Sequence, residues 1–211
     1  MAIHHHPSNW QGRSGILRIL FLSSIIAAAT WTDAAQNPEF TTGKLLVAAP
    51  EMGDLRFAQT VIYMVKHDAE GAMGMVINRP IAKGPLKDLL KGFGIESEEA
   101  KGEVIIHYGG PVDGNAGFVL HSDDTMLDDS TAVKDGIAMT ANNAIIEAIA
   151  RGKGPRQSLI VFGYAGWASG QLEGELEAGA WYIVPADKNI VFGKDVAKKW
   201  QQAMDRRRIS L

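Results

Sequence analysis

Apolar residues recur along this chain mostly in short runs broken by glycine and proline, and less often at helical spacing. Leu45-Leu46-Val47-Ala48-Ala49 is one such run, stopped by Pro50, and it predicts a buried strand. Thr60 to Lys66 is β-branched and aromatic and predicts a second strand. His67 to Gly71 reads as a turn and Ala72 to Asn78 as a third strand, so these two strands should form a hairpin. Gly84-Pro85 opens a short helix over Leu86 to Lys91 that ends at Gly92. Val104 to Tyr108 and Gly117 to His121 follow as strands joined by a Gly109-Gly110-Pro111 turn. The clearest helix covers Ala141 to Arg151, with Thr140 as N-cap, Gly152 at C′, and one apolar stripe of Ala141, Ile145, Ala148 and Ile149. Ser158 to Tyr164 predicts a strand, Gln171 to Glu177 one or two helical turns, and Trp181 to Val184 a further strand. A last helix starts at Lys194, where Val196, Trp200 and Met204 recur every four residues. Short strands joined by turns, without a full-length helix between each pair, predict a mixed or antiparallel α+β domain and not a doubly wound parallel sheet.

Composition narrows the possibilities. The 211 residues are 46% hydrophobic and 21% charged, enough for one sizeable core and too apolar for disorder. There is no cysteine, which excludes disulfides, thiolate metal sites and thiol nucleophiles. The formal net charge of −3 is unevenly spread. Residues 43–193 hold 13 basic and 20 acidic side chains, whereas residues 194–211 hold 6 basic and 2 acidic. Glu96, Glu98 and Glu99 read as a solvated acidic stretch.

Residues 1–42 read as a leader. His4, His5 and His6 suggest a tag-like or mis-started beginning more than a metal site. Arg13 and Arg18 then precede an apolar run, Ile19 to Ala29, which is too short to span a bilayer as a helix and ends in small residues. That pattern predicts a signal peptide and an exported, periplasmic domain. The alternatives are an N-terminal helix docked on the body or a partner, and a membrane contact made only through this leader. Residues 43–211 form the predicted domain, with its basic C-terminal helix.

The chemistry-bearing motifs are sparse. There is no phosphate-binding glycine loop, no Gly-x-Ser-x-Gly elbow and no His-Glu-x-x-His pair. His67, His107 and His121 are the histidines of the body, and none has a second ligand at metal spacing. His121-Ser122-Asp123 sets a base, a hydroxyl and a carboxylate in a row, but neighbours on a strand face opposite ways. The pairs Asp123-Asp124 and Asp128-Asp129 lack the oxygen spacing of a calcium loop. No metal and no cofactor is expected. Two segments carry more: Asn78-Arg79-Pro80 at the end of a strand, and Gly163 to Glu173, where three glycines and two aromatics lead into an acidic helix start. Asn78 can bond nearby backbone, and Arg79 offers five donors to a carboxylate or phosphate. The second segment reads either as a pocket, with Tyr164 and Trp167 offering aromatic surface and Gln171 and Glu173 polar anchors, or as a tight corner with Trp167 in the core.

Four blocks resemble the AlgH/YqgE-type family of bacterial proteins. They are Gly43 to Pro50 with Met52 and Asp54; Gly71 to Pro80; Gly109-Gly110-Pro111-Val112 leading to Gly117-Phe118-Val119-Leu120-His121; and Gly163 to Trp167 with Gly170 to Glu173, Trp181 and Pro185-Ala186-Asp187. The resemblance runs from about Gly43 to Phe192. It implies a single α+β domain whose bifurcated sheet folds into a pseudo-barrel flanked by helices. It also implies a name tied to transcriptional regulation with no established DNA-binding motif, reaction or cofactor, and a cytoplasmic location, which stands as the alternative to export. Ala168-Ser169 replace the usual Gly-Pro, and Ala116 stands where Arg is usual, which weakens any anion site there.

The leading expectation is a binding or interaction domain for an unknown small molecule or protein, possessing no assembled catalytic set. Its candidate ligand-binding residues are Asn78, Arg79, His121, Tyr164, Trp167, Gln171 and Glu173. One alternative is a hydrolase or transferase, which requires His121, Asn78, Arg79 and Glu173 to converge on one pocket. The other is a transcriptional regulator touching nucleic acid through the basic C-terminal helix; the nearly uncharged helix at 141–150 cannot serve as a recognition helix, and nucleic acid is not the expected partner.

Overall fold

The computed structural model describes residues 40–96 and 100–209. Nearly all of the predicted leader, and Glu98 and Glu99 of the acidic stretch, lie outside them. Ten strands form one sheet: β1 (Lys44–Ala48), β2 (Val61–Asp68), β3 (Gly71–Val76), β4 (Pro80–Pro85), β5 (Glu103–Tyr108), β6 (Val112–Ser122), β7 (Thr131–Lys134), β8 (Ile137–Thr140), β9 (Ser158–Ala168) and β10 (Trp181–Pro185). Among the described residues five helices flank it: α1 (Leu86–Gly92), α2 (Asn143–Ala150), α3 (Gln171–Glu177), α4 (Lys188–Val191) and α5 (Lys199–Ile209). The sheet is almost wholly antiparallel and curls into a half-barrel, giving the mixed α+β architecture that the short strands predict.

The order β10-β1-β2-β3-β9-β6-β8-β7 places β9 in the middle, and the sheet forks there. β6 runs along one edge of β9, from Ser158 to Tyr164. The other edge is shared: β5 pairs in parallel with Ile160–Phe162, and β3 pairs antiparallel with Ala165–Ala168. The chain leaving β5 threads the gap. Gly109 donates its N–H to the Phe162 carbonyl (2.7 Å) and accepts from the Val76 N–H (2.8 Å), so one residue stitches both prongs. Backbone packs on backbone at this point, and a Cβ on Gly110, whose φ is 155°, would overlap the Tyr164 carbonyl group. The Gly109-Gly110 turn and the Gly163 corner, far apart in the chain, are thus two sides of one crossing.

Three apolar clusters fill the domain. β1 is buried on both faces, as an uninterrupted apolar run requires: Leu45 and Val47 join one cluster, Leu46 and Ala48 another. The first cluster lies beneath α4 and α5, the second beneath α3, and the third holds α1 and α2 against β6 and β9. Lys199 opens α5 fully buried, and its ammonium donates to the carbonyls of Ile77 (2.9 Å) and Val191 (2.7 Å), tying α5 to the end of β3 and to α4. Burial holds its pKa down to about 8.

Several elements depart from the sequence expectation. α2 begins at Asn143, capped by the Asn142 side chain accepting from the Ala144 N–H (2.9 Å). The expected cap, Thr140, instead ends β8, and its hydroxyl meets His121 and Ser130. The β7–β8 hairpin is absent from the expectation although Asp135-Gly136, both at positive φ, is its turn signal. β5 and β6 do not pair with each other; each pairs with β9. β4 and α4 are also additional, and the last helix starts at Lys199, after a 3-10 turn over Val196–Lys198.

Gly110→Ala should cost about 3 kcal/mol or more, since backbone must move to admit the methyl group. Gly53→Ala, with nothing within 4 Å of the new atom, should stay within about 0.5 kcal/mol. Urea denaturation of both variants measures the difference.

Candidate functional site

Beyond the fork, β9 carries Gly166 and Trp167 into the corner before α3. Trp167 packs edge to face on Trp181 of β10, with ring centroids 6.3 Å apart at 84°. Both indoles need a hydrogen-bond acceptor in this nearly dry setting, and one oxygen serves both. Oε2 of Glu175 accepts from Trp167 Nε1 (2.9 Å) and from Trp181 Nε1 (2.8 Å), while Oε1 accepts from Gln171 Nε2 (3.1 Å). Gln171 in turn accepts from the Ala168 N–H (3.2 Å), closing the corner. These groups wall an open cleft of about 420 Å³. Phe57 packs edge to face on Trp181 and, with Met52 and Pro111, extends its apolar lining. Arg56 stands at the rim, its guanidinium held by both oxygens of Asp54.

The sequence-predicted residues fall into separate places. Trp167 and Gln171 line the cleft, with Trp167 only 8% exposed, a wall more than an open platform. Tyr164 lies nearer the fork, edge to face with Phe118. Asn78 accepts from the Val61 N–H (2.9 Å) and donates to the Gln59 carbonyl (2.8 Å), and Arg79 donates to Thr60 Oγ1 and the Ala58 carbonyl. That pair therefore braces the loop before β2. His121 is fully buried, donating from Nδ1 to the Ser122 carbonyl and meeting Thr140 Oγ1 at Nε2, both at 2.9 Å. Asp124 is held by Ser122 and Arg156, which keep its carboxyl at about 2, below the usual range.

Glu173 faces away from the cleft to His67 Nε2 (3.0 Å), while His67 Nδ1 meets the Thr41 hydroxyl (2.9 Å). Hydroxyl, imidazole and carboxylate are thus in line, as in a nucleophilic relay. The Thr41 N–H also donates to Nδ1 (3.1 Å), so the lone pair that would take a hydroxyl proton is occupied, and Thr41 is fully buried. The chain is a strut from α3 to the segment before β1. Glu173's own backbone amide, followed by the imidazole, holds its carboxyl below the ordinary value. The convergence that the hydrolase or transferase reading needs is not found: Asn78 and Arg79, His121, and Glu173 each serve a different local network.

A second cavity, about 550 Å³, opens between β5, the start of β9 and the connection from α4 to α5. His107 on β5 borders it and is 4% exposed; both ring nitrogens are closed to solvent and make no well-formed hydrogen bond among the described residues, with the Ile160 and Ile105 carbonyls acting on the ring only weakly. Burial, reinforced by the Lys199 charge and opposed weakly by the Ile160 and Ile105 carbonyls, lowers its pKa to about 4. The imidazole is therefore neutral near pH 7.

Glu175, Trp181, Phe57 and His107 were not among the residues expected at a site. Glu175 had a signal in its i,i+4 spacing from Gln171. The others reach their places through pairings distant in sequence. Glu175→Leu should cost about 2–5 kcal/mol, because it strands two buried indole donors, and it should shift tryptophan emission. Glu175→Gln keeps an acceptor oxygen and should cost under about 1.5 kcal/mol; thermal unfolding followed by fluorescence distinguishes the two.

The same arrangement of sheet and flanking helices occurs in the solution structure of the AlgH protein from Pseudomonas aeruginosa. That structure superposes with a TM-score of 0.69 at 38% identity, over 81% of this chain and 90% of that one. A crystal structure of a Corynebacterium diphtheriae protein shares the fold at 22% identity, with a TM-score of 0.64, over 79% of this chain and 86% of that one. A UPF0301 protein of Methylococcus capsulatus is 46% identical over 78% of this chain and 90% of its own length. A Rhodospirillum rubrum UPF0301 protein is 44% identical over 79% of this chain and 87% of its own length. The AlgH-like family model matches residues 45–211, almost all of the described fold, and the chain belongs to the AlgH-like family.

Proposed function

We propose that the protein is a binding domain whose ligand inserts an apolar or aromatic group into the cleft walled by Trp167, Trp181 and Phe57. The observation that carries this reading is the double acceptance by Glu175. One carboxylate fixes both indoles and Gln171, so the cleft is rigid before any ligand arrives and little ordering opposes binding. Its volume of about 420 Å³ suits a small molecule or a peptide side chain. Arg56 and Asp54 at the rim favour a ligand that carries a polar group next to its apolar part.

Nothing comparable favours contact with nucleic acid through α5. Lys198 pairs with Asp195 (2.7 Å), Lys199 is buried, Arg206 pairs with Asp187, and Arg207 lies over the Tyr182 ring (3.5 Å to its centroid). These cations are engaged within the domain and not arrayed for phosphates.

Titration with aromatic amino acids, nucleosides and short peptides, followed by tryptophan emission, tests the proposal. At least one probe should give a saturable change, weakened about tenfold, or ~1.4 kcal/mol, by Phe57→Ala. Absence of saturation with every class, or binding indifferent to Phe57→Ala, would overturn it.

A further inference from the structure

We propose that the cleft of Trp167, Trp181 and Phe57 takes a quaternary ammonium group, the charged head of a small organic cation. This rests on the cleft being a binding site and names the chemistry of its ligand, whose methyl groups are the apolar part that inserts. Glu175 gives the first reason, because its carboxylate stands half-buried in the wall of the cleft. A carboxylate withdrawn from bulk water ordinarily has a cation beside it. Glu175 accepts only from neutral donors, the two indoles and the Gln171 amide, and makes no ion pair among the described residues. Arg56, the cation of the lining, is held by Asp54 at 2.7 Å. Two carboxylates against one guanidinium leave a negative charge uncompensated in the cleft. A cation seated there is attracted by that charge without having to touch it.

The same hydrogen bonds select the kind of cation. A carboxylate has about four lone-pair sites. Three of them are filled at Glu175, and Asp54 accepts four bonds from the backbone amide and guanidinium of Arg56. The two carboxylates therefore offer charge but almost no open acceptor. A primary ammonium carries three N–H donors and would give up its water there without replacing it. A quaternary ammonium has no N–H to satisfy, and its methyl groups pack on aromatic surface. The cleft supplies that surface at steep angles: Trp167 stands at 84° to Trp181, and Phe57 at 72° to Trp181. Three rings so arranged form walls around a head group and not one flat platform. A volume of about 420 Å³ admits the head group with a short chain attached.

The test titrates three probes into the whole protein at constant ionic strength, read by NMR of the Trp167 and Trp181 indole N–H signals. They are choline, neohexyl alcohol (its uncharged isostere, with carbon in place of nitrogen) and ethanolamine, its primary-amine counterpart. Choline should shift both indole signals saturably and bind about tenfold or more tightly than either other probe. Glu175→Gln keeps an acceptor for the indoles and removes the charge, so the preference for choline over the alcohol should fall about tenfold. Equal binding of choline and the alcohol, or of choline and ethanolamine, overturns the inference and leaves the cleft a binding site for apolar groups. An unchanged preference in Glu175→Gln overturns it as well. Silence with choline also overturns it, and titration with the aromatic and peptide probes then decides separately whether the cleft binds at all.

Discussion

The fork at β9 is the constraint on which the rest of the domain depends. One edge of a single strand has to serve two partners, β5 over its first half and β3 over its second. Such a split leaves backbone groups at the junction with no ladder to join, and buried orphan amides are costly. Gly109 resolves it by donating to β9 and accepting from β3 in the same residue. Glycine is required because the crossing is closer than any Cβ permits, at Gly110 and again at Gly163, whose φ is 72°.

The cleft and the second cavity are both consequences of this junction. Past the fork β9 continues into Gly166 and Trp167, and Pro111, one residue after the crossing turn, lines the same cleft. Before the fork β9 pairs with β5, which sets His107 against the second cavity. Helix α3 then locks the first site through two carboxylates with different tasks. Glu175 binds the indoles, and Glu173 anchors the helix to His67 on β2. The cleft wall and the stabilising network are therefore made of residues on one short helix.

Most of the strands were legible because their apolar runs are bounded by glycine or proline, as at Leu45–Ala49 and Ser158–Tyr164. The family blocks were legible for a related reason: the glycine motifs that stand out in the sequence are the two halves of the fork. Their meeting was not legible, since β5 pairs with β9 across some fifty residues of intervening chain. β4 was missed because Pro80-Ile81-Ala82-Lys83-Gly84-Pro85 has prolines at both ends and almost no burial, as suits an edge strand. At the site, Trp167 and Gln171 stood out locally. Glu173 looked like a ligand anchor because sequence shows a carboxylate at a helix start but not the histidine on β2 that occupies it. His107 gave no signal at all, since the burial of its imidazole exists only in three dimensions.

Membership of the AlgH-like family settles the fold, and the chemistry has to be argued from the sites it builds. Amide hydrogen exchange at Gly109 and Val76 tests the central role of the fork most directly. If the junction holds the domain together, both amides exchange only through global unfolding, with the same opening free energy as the core of β9. Exchange at these two amides through openings smaller than those of the peripheral β7–β8 hairpin would contradict the account.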